Sequence, residues 1–345
     1  MKKLLALVLA LVMSMSLVTI SNAAFKDADK IDYKEAVDVM NAVGVFVGDE
    51  KGNFNAKENL TREQAAKIIA YLELGEKAAD ALVGSATFTD VAATRWSAGF
   101  VSYCAQAGVV SGYDGKFDPA GQLTALQFGK MLLVELGYDA KAEGMVGTDW
   151  AINTSKLMAK AKLMDKIDGS VNQVLTREKA AQMCLNALEA PMVTYDTKGS
   201  TITVDGTKIN FGASVAKYET STVAKDQNIS KEKLTSGEYT VELGEKLYKD
   251  LKKNSTTDAF ERPATEWMLK AKSIGTYADA ADLSYTATVE IGTIYSDLGL
   301  SKGIDDSKVT YYEDGRNLSS SWNQDIVKGS KVEKGGNGTL LEVYY

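Results

Sequence analysis

The stretch from Phe25-Lys26-Asp27-Ala28 to Leu60-Thr61-Arg62-Glu63 is written twice in this chain. Phe88-Thr89-Asp90-Val91 opens the second copy and Leu123-Thr124-Ala125-Leu126 closes it, with 36 positions from Phe to Thr in both. Between these ends stand Gly44-Val45, Gly48 and Phe54 in one copy and Gly108-Val109, Gly112 and Phe117 in the other. A third, shorter copy runs from Thr148-Asp149-Trp150 through an apolar helical pattern at Leu157 to Leu163. It continues with a loop at Asp168-Gly169 and ends at Leu175-Thr176-Arg177-Glu178. Repeats of this length are single supersecondary units that bury their apolar faces only by stacking on one another, so the three copies are expected to form one cooperative module.

Each copy reads as helix, glycine-rich loop, helix. Ala36, Val39, Met40 and Val43 recur at helical spacing, as do Ala65, Ile68, Ile69 and Leu72. Thr61 is a predicted N-cap whose capping box is completed by Gln64, and Thr124 with Gln127 repeats it. Thr176 keeps the cap, while Lys179 removes the reciprocal half. Asp27 and Asp90 read as helix-start caps. Trp96 opens an amphipathic helix and reads first as a core residue, with stacking on a sugar face as its alternative. Gly48 and Gly112 are expected to supply either positive φ or a close backbone approach.

Composition narrows the chemistry. The 345 residues include 39 Lys+Arg, 46 Asp+Glu, two Cys and no His. Without imidazole there is no Ser-His-Asp triad and no near-neutral His acid or base. Cys104 and Cys184 supply no zinc cage and read as small buried hydrophobes. A disulfide between them requires the fold to bring their Cα atoms within about 7 Å. The net charge of −7 opposes nucleic acid as a partner. No catalytic set, cofactor motif or metal-ligand spacing stands out.

Lys2-Lys3, the apolar run from Leu4 to Leu17 and Ser21-Asn22-Ala23 read as a signal peptide over 1–23, cleaved before Ala24. Without its two lysines the chain carries −9. No later segment approaches the length of a membrane span, so no membrane partner is expected after cleavage.

After Pro191 the texture changes. Thr201 to Val204, Asp205-Gly206 and Lys208 to Phe211 read as a β-hairpin. Strands are predicted at Glu238 to Leu243, Ser284 to Ile291, Lys308 to Tyr312 and, after the Gly335-Gly336-Asn337-Gly338 turn, Leu340 to Tyr344. Short helices are predicted at Glu245 to Lys252 and Ala264 to Lys272, with Lys252-Lys253 as a solvated helix end. Asp305-Asp306 and Glu313-Asp314 lack EF-hand spacing and read as acidic loops. The last strand carries no polar tail, which suggests either a truncated sequence or a β-edge that pairs with another chain.

The repeated marks resemble S-layer homology modules, the three-repeat anchors of exported proteins in Gram-positive bacteria. Those marks are Phe-x-Asp, Trp96 eight residues after Phe88, the Gly-apolar-x-Gly turn, Phe117-Asp118-Pro119, and Thr-Arg opening a second helix. The resemblance covers about residues 24 to 190. It implies a multidomain chain: a mainly α three-repeat module in a pseudo-threefold arrangement, then a β-rich or α+β region. The expected divisions are 24–80, 81–142, a degenerate 143–190, and a display region at 191–345 that is either whole or truncated.

The resemblance also implies noncovalent anchoring to secondary cell-wall polysaccharide, acidic and often bearing pyruvate ketals, with the protein at the cell surface and no enzyme activity. Arg62 and Arg177, with Thr61, Thr176, Asp27, Asp90, Trp96, Gly48 and Gly112, are the expected glycan-binding residues. An Arg in the first turn of a helix sits beside unpaired N–H groups, and its fork holds a carboxylate by two hydrogen bonds. The other reading is that both arginines pair with neighbouring carboxylates. Ala125 occupies the Arg position of the second copy, which leaves two competent sites. Contacts made by arginine do not titrate near neutrality, so binding should vary little there. Two alternatives remain: a lattice subunit that assembles with itself, and a wall-anchored hydrolase using carboxylates.

Overall fold

Three leucines join the copies through their main chains. Leu123 N donates to Leu60 O (3.1 Å), Leu175 N to Leu123 O (2.9 Å), and Leu60 N to Leu175 O (2.8 Å), closing a ring. Each leucine is the residue before a Thr cap, and all three side chains are buried. Isolated bridges at Asn59 with Thr176, Thr61 with Gln122 and Thr124 with Val174 extend the ring to either side.

The structure is a computed structural model. It describes residues 25–85, 87–197, 200–204, 207–212, 214–222, 229, 234–286, 289–300, 309–313, 316–317, 331–332 and 340–345. The leader at 1–23, the Asp205-Gly206 turn, Asp305-Asp306, Asp314 and the Gly335-Gly336-Asn337-Gly338 turn lie outside those residues.

The repeat region contains α1 (Lys34–Ala42), α2 (Arg62–Leu74), the short α3 (Glu76–Asp80), α4 (Ala98–Gln106), α5 (Ala125–Glu135), α6 (Trp150–Lys160) and α7 (Arg177–Glu189). The closest helix pairs join copies: α2 lies on α4, α5 on α6, and α7 returns to α1. Ala36, Val39 and Met40 on α1 and Ala65, Ile69 and Leu72 on α2 are buried as their spacing predicts. Both predicted capping boxes form, at Thr61 with Gln64 and at Thr124 with Gln127. The third cap does not. Thr176 makes no side-chain cap bond, and its Oγ1 is buried without a partner among the described residues. Lys179 turns away, donating to Asp168 O and Gln173 Oε1. Cys104 and Cys184 are free and buried.

Contacts divide the chain into Met1–Lys252 with Met268–Ile274, and Lys253–Trp267 with Gly275–Tyr345. In the first unit, β1 (Val193–Thr194) pairs β4 (Lys217–Tyr218), and β5 (Thr220–Ser221) pairs β6 (Tyr239–Thr240). The hairpin of β2 (Ser200–Val204) and β3 (Thr207–Phe211) forms as read, with Val204 opposite Thr207. Helix α8 (Leu243–Leu247) is shorter than expected.

β7 (Leu251–Thr257), β8 (Pro263–Leu269) and β9 (Lys272–Ala278) form a sheet in that order. The helix expected from Ala264 to Lys272 is therefore strand as far as Leu269, followed by a turn at Lys270-Ala271 and the first residue of β9. Thr265 and Trp267, two positions apart, are both buried, which is the period of a pleated strand and suits two β-favouring residues. Lys252-Lys253 consequently stands in β7 and not at a helix end.

The second unit holds a four-stranded antiparallel sheet in the order β10 (Leu283–Tyr285), β15 (Leu341–Tyr344), β12 (Thr310–Glu313), β13 (Arg316–Asn317). The strand expected from Ser284 to Ile291 is divided: β11 (Val289–Glu290) pairs β14 (Lys331–Val332), and Ile291 begins α9 (Ile291–Asp297). The last strand is not an edge. Val343 lies opposite Leu283 on one side and Tyr311 on the other. Leu341 and Val343 join Val289, Ile294, Val309 and Tyr311 in the core, which is why the final strand needs no polar guard.

Glu135 ends α5. Burial pushes its carboxyl up to about 8, and the negative Glu73 adds to the rise. The folded chain thus holds a proton that the unfolded chain releases above the ordinary glutamate range. This contribution to stability is complete below that range and is lost as pH rises through about 8. Glu135→Gln should flatten that slope, so its thermal midpoint relative to wild type should be higher at about pH 9 than at about pH 5.

Candidate functional site

Each residue of the Thr-Arg-Glu motif has a separate task. Thr61 accepts a bond from Gln64 N at the start of α2 (3.4 Å). Glu63 points toward the second copy, where Arg95 Nε and Nη2 donate to its two oxygens (2.8 and 2.9 Å) and Ser97 adds a third bond (2.5 Å). Burial raises the Glu63 carboxyl, but Arg95 and Ser97 outweigh it and hold the group below its ordinary value. Glu178 likewise accepts from Asp32 N (2.9 Å) and pairs with Lys57. The acidic position of the motif is a clamp between copies.

The arginines also cross between copies. Arg62 Nε donates to Phe117 O (2.7 Å) and its Nη2 to Ser111 O (3.3 Å), with Cζ 4.7 Å from the centre of the Phe117 ring. Arg177 repeats the arrangement on the first copy, with Phe54 O (2.9 Å), Val47 O (3.1 Å) and the Phe54 ring at 5.1 Å. All four of these hydrogen bonds are to neutral carbonyls. Neither arginine is in an ion pair among the described residues, which overturns the reading that they are spent on neighbouring carboxylates. Burial draws both guanidinium pKa values down, offset for Arg62 by Asp118 and Asp90 and for Arg177 by Glu58, Asp49 and Asp27.

The expected helix amides are not available. Arg62 N donates to Gly121 O and Glu63 N to Pro119 O, while Arg177 N donates to Glu58 O and Glu178 N to Ala56 O. The leucine ring brings each neighbouring loop against the helix start, and loop carbonyls take the first amides. An anion here would be held by side chains.

Two clefts surround the arginines. The cleft at Arg62 encloses about 390 Å³ and is lined by Tyr113, Gln127, Lys130, Met131 and Trp150 among others. The cleft at Arg177 encloses about 370 Å³, with Asp49, Glu58, Gln64, Lys67 and Trp96. Gln64 and Gln127, Lys67 and Lys130, and Trp96 and Trp150 occupy matching places. Trp96 is 54% exposed and lines the cleft, so the expectation that it is core is wrong; the Phe100 ring packs beside it with centres 6.3 Å apart.

The remaining expected residues shape the loops. Asp27 accepts from Phe54 N (2.7 Å) and Asn55 N (2.9 Å), and Asp90 from Phe117 N (2.8 Å) and Asp118 N (2.7 Å). They staple the loop that receives the arginine and do not cap helices. Burial raises their carboxyls, but the amides prevail and both lie below the ordinary value. Positive φ occurs at Gly44 and Gly108, and not at Gly48 or Gly112. Those two glycines provide close approach instead. A Cβ on Gly48 would meet Phe25 Cε1 at 2.9 Å, and one on Gly112 would meet Lys116 O at 2.4 Å and Phe88 Cε1 at 2.5 Å.

At the third copy the matching places hold Ala125, Lys179, Gln182 and Tyr33. Tyr33 OH donates to Asp168 Oδ1 (2.6 Å), and Lys179 pairs with the same carboxylate (3.1 Å). Gln182 is buried and donates to Asn186 (2.8 Å). These side chains satisfy one another where the other clefts leave cations open.

Residues 24–66 and 87–127 match the family model of the S-layer homology domain. The chain carries two S-layer homology domains. It is 27% identical over 207 residues to the middle cell wall protein of Brevibacillus brevis, covering 59% of this chain and 19% of that protein. It is 31% identical over 150 residues to a surface layer protein of Brevibacillus choshinensis, covering 42% of this chain and 13% of the relative. A third relative, the surface-layer 125 kDa protein of Lysinibacillus sphaericus, is 32% identical over 158 residues, or 45% of this chain and 13% of its own length. The chain thus spans less than a fifth of these curated relatives.

Lys67, Lys130 and Trp150 were absent from the residues expected to form the S-layer homology sites. Trp150 stands in the third copy but serves the second cleft, so reading each copy as a self-contained site misses it. The lysines each lie three residues beyond the glutamine of a capping box, a spacing visible in the sequence once the cleft is known.

The glycine contacts give a direct test of loop packing. Gly112→Ala should destabilise the fold by about 1–3 kcal/mol, the usual penalty for overpacking, since backbone is the nearest obstacle. Gly48→Ala should have a smaller effect in thermal unfolding.

Proposed function

We propose that the chain is an exported surface protein held noncovalently on the cell wall by acidic secondary wall polysaccharide, with pyruvate ketals as the carboxylate source. The observation that carries this reading is the pair of clefts in which, among the described residues, Arg62 and Arg177 hydrogen-bond only to neutral carbonyls and stand beside a Lys and a Trp. A guanidinium already positioned by two hydrogen bonds loses little freedom on meeting a carboxylate, and an indole offers an apolar face for a sugar ring. Wall-associated relatives support the same reading.

In this reading 1–23 is a leader, and 24–80, 81–142 and 143–190 are three units about a pseudo-threefold axis, the leucine ring being the supporting feature. Residues 191–345 are displayed. Two weak sites on one polymer act together, since the second forms at high effective concentration. Arg62→Ala combined with Arg177→Ala should abolish cosedimentation of the full chain with purified walls, while each single variant retains part of it. Unchanged cosedimentation of the double variant would refute the contact role.

The likeness to surface-layer proteins favours a second reading, a subunit of a surface lattice. It requires ordered arrays of the purified mature chain in electron micrographs without added wall material.

A further inference from the structure

The two clefts share a plan but differ in charge. The cleft at Arg62 is lined by two cationic side chains, Arg62 and Lys130, and by no acidic one. At Arg177 the matching cations, Arg177 and Lys67, are joined by Asp49 and Glu58, so the lining is neutral overall. Asp49 is fastened in place, accepting from Lys51 N, Asn53 N and the amide of Asn55, whereas Glu58 is exposed. Tyr113, which stands where Asp49 does after the loop glycine, is 90% exposed and adds an aromatic edge to the Arg62 cleft.

We propose that the clefts divide the polymer between them: the Arg62 cleft takes its carboxylate-bearing sugar, and the Arg177 cleft takes an uncharged sugar of the same chain. This rests on the wall-polysaccharide reading and refines it. An anion entering the Arg62 cleft meets two positive charges with no carboxylate in the lining, Asp118 and Asp90 acting on Arg62 only from outside it. One entering the Arg177 cleft meets the same cations with two carboxylates beside them, which cancel the long-range attraction and leave hydrogen bonding and the Trp96 face to hold a neutral ring. The matching lysines are suited to separate the two cases. Both Lys67 and Lys130 lie over aromatic rings, at 4.7 Å from Tyr71 and 5.8 Å from Trp150, and neither is in an ion pair among the described residues.

The test uses the full chain and two probes, a carboxylated wall polysaccharide and the same polymer after chemical reduction of its carboxyls. Wild type should prefer the acidic polymer, and Lys130→Gln should lower that preference about tenfold, the equivalent of about 1.4 kcal/mol for a lost charge-assisted contact. Lys67→Gln should weaken both polymers alike and leave the ratio unchanged. Glu58→Gln should raise affinity for the acidic polymer alone, which guards against mistaking a misfolded variant for a binding defect. In fluorescence, Trp96→Phe should keep the carboxyl-dependent change and Trp150→Phe should lose it. Equal loss of preference in the two lysine variants would overturn the division while leaving wall binding standing. Failure of wild type to bind either polymer would overturn both.

Discussion

The ring of main-chain bonds among Leu60, Leu123 and Leu175 is the constraint from which the rest of the repeat region follows. A backbone bond of this kind leaves little freedom in register, so the residues after each leucine are delivered to a fixed place on the next copy. Thr turns the chain into a helix, Arg enters the neighbouring loop and Glu enters the segment beyond it. Buried polar groups need partners, and here many of them are supplied by another copy. Loop carbonyls of one copy take the first amides of another copy's helix, and Glu63 and Glu178 receive cations from a neighbouring copy, while within single copies loop amides hold the carboxylates of Asp27 and Asp90.

The same plan occurs at three places and has been filled in two ways. Around Arg62 and Arg177 it leaves a guanidinium, an ammonium and an indole facing a cleft. Around Ala125 the substitutes, Lys179, Tyr33 and Asp168, meet one another. A closed position and one left open to a cleft therefore differ only in whether the polar groups find partners within the protein. That distinction also separates Arg62 from Arg95: Arg95 is consumed by a buried carboxylate, while among the described residues Arg62 hydrogen-bonds only to carbonyls.

Outside the repeats, local pattern was a weaker guide. The Ser200–Val204 and Thr207–Phe211 hairpin was legible because turn and alternation agreed. Ala264 to Lys272 contains residues acceptable to a helix, and it became a strand because β7 and β9 supply its neighbours while Thr265 and Trp267 share a buried face. The final strand looked like an edge because an edge is defined by neighbours, which a single segment cannot display.

From its sequence alone the chain disclosed three copies, the helices and two capping boxes in them, and the two arginines, because these depend on spacing within about 40 residues and on side-chain type. Tertiary structure assigned the tasks. Only packing could show that Asp27 and Asp90 staple loops, that Trp96 is open, that helix amides are spent and that Trp150 serves a cleft of the preceding copy. The physical reason is that hydrogen-bond satisfaction and burial are properties of pairs of residues, and in this fold the partners lie far apart in sequence, many of them in another copy.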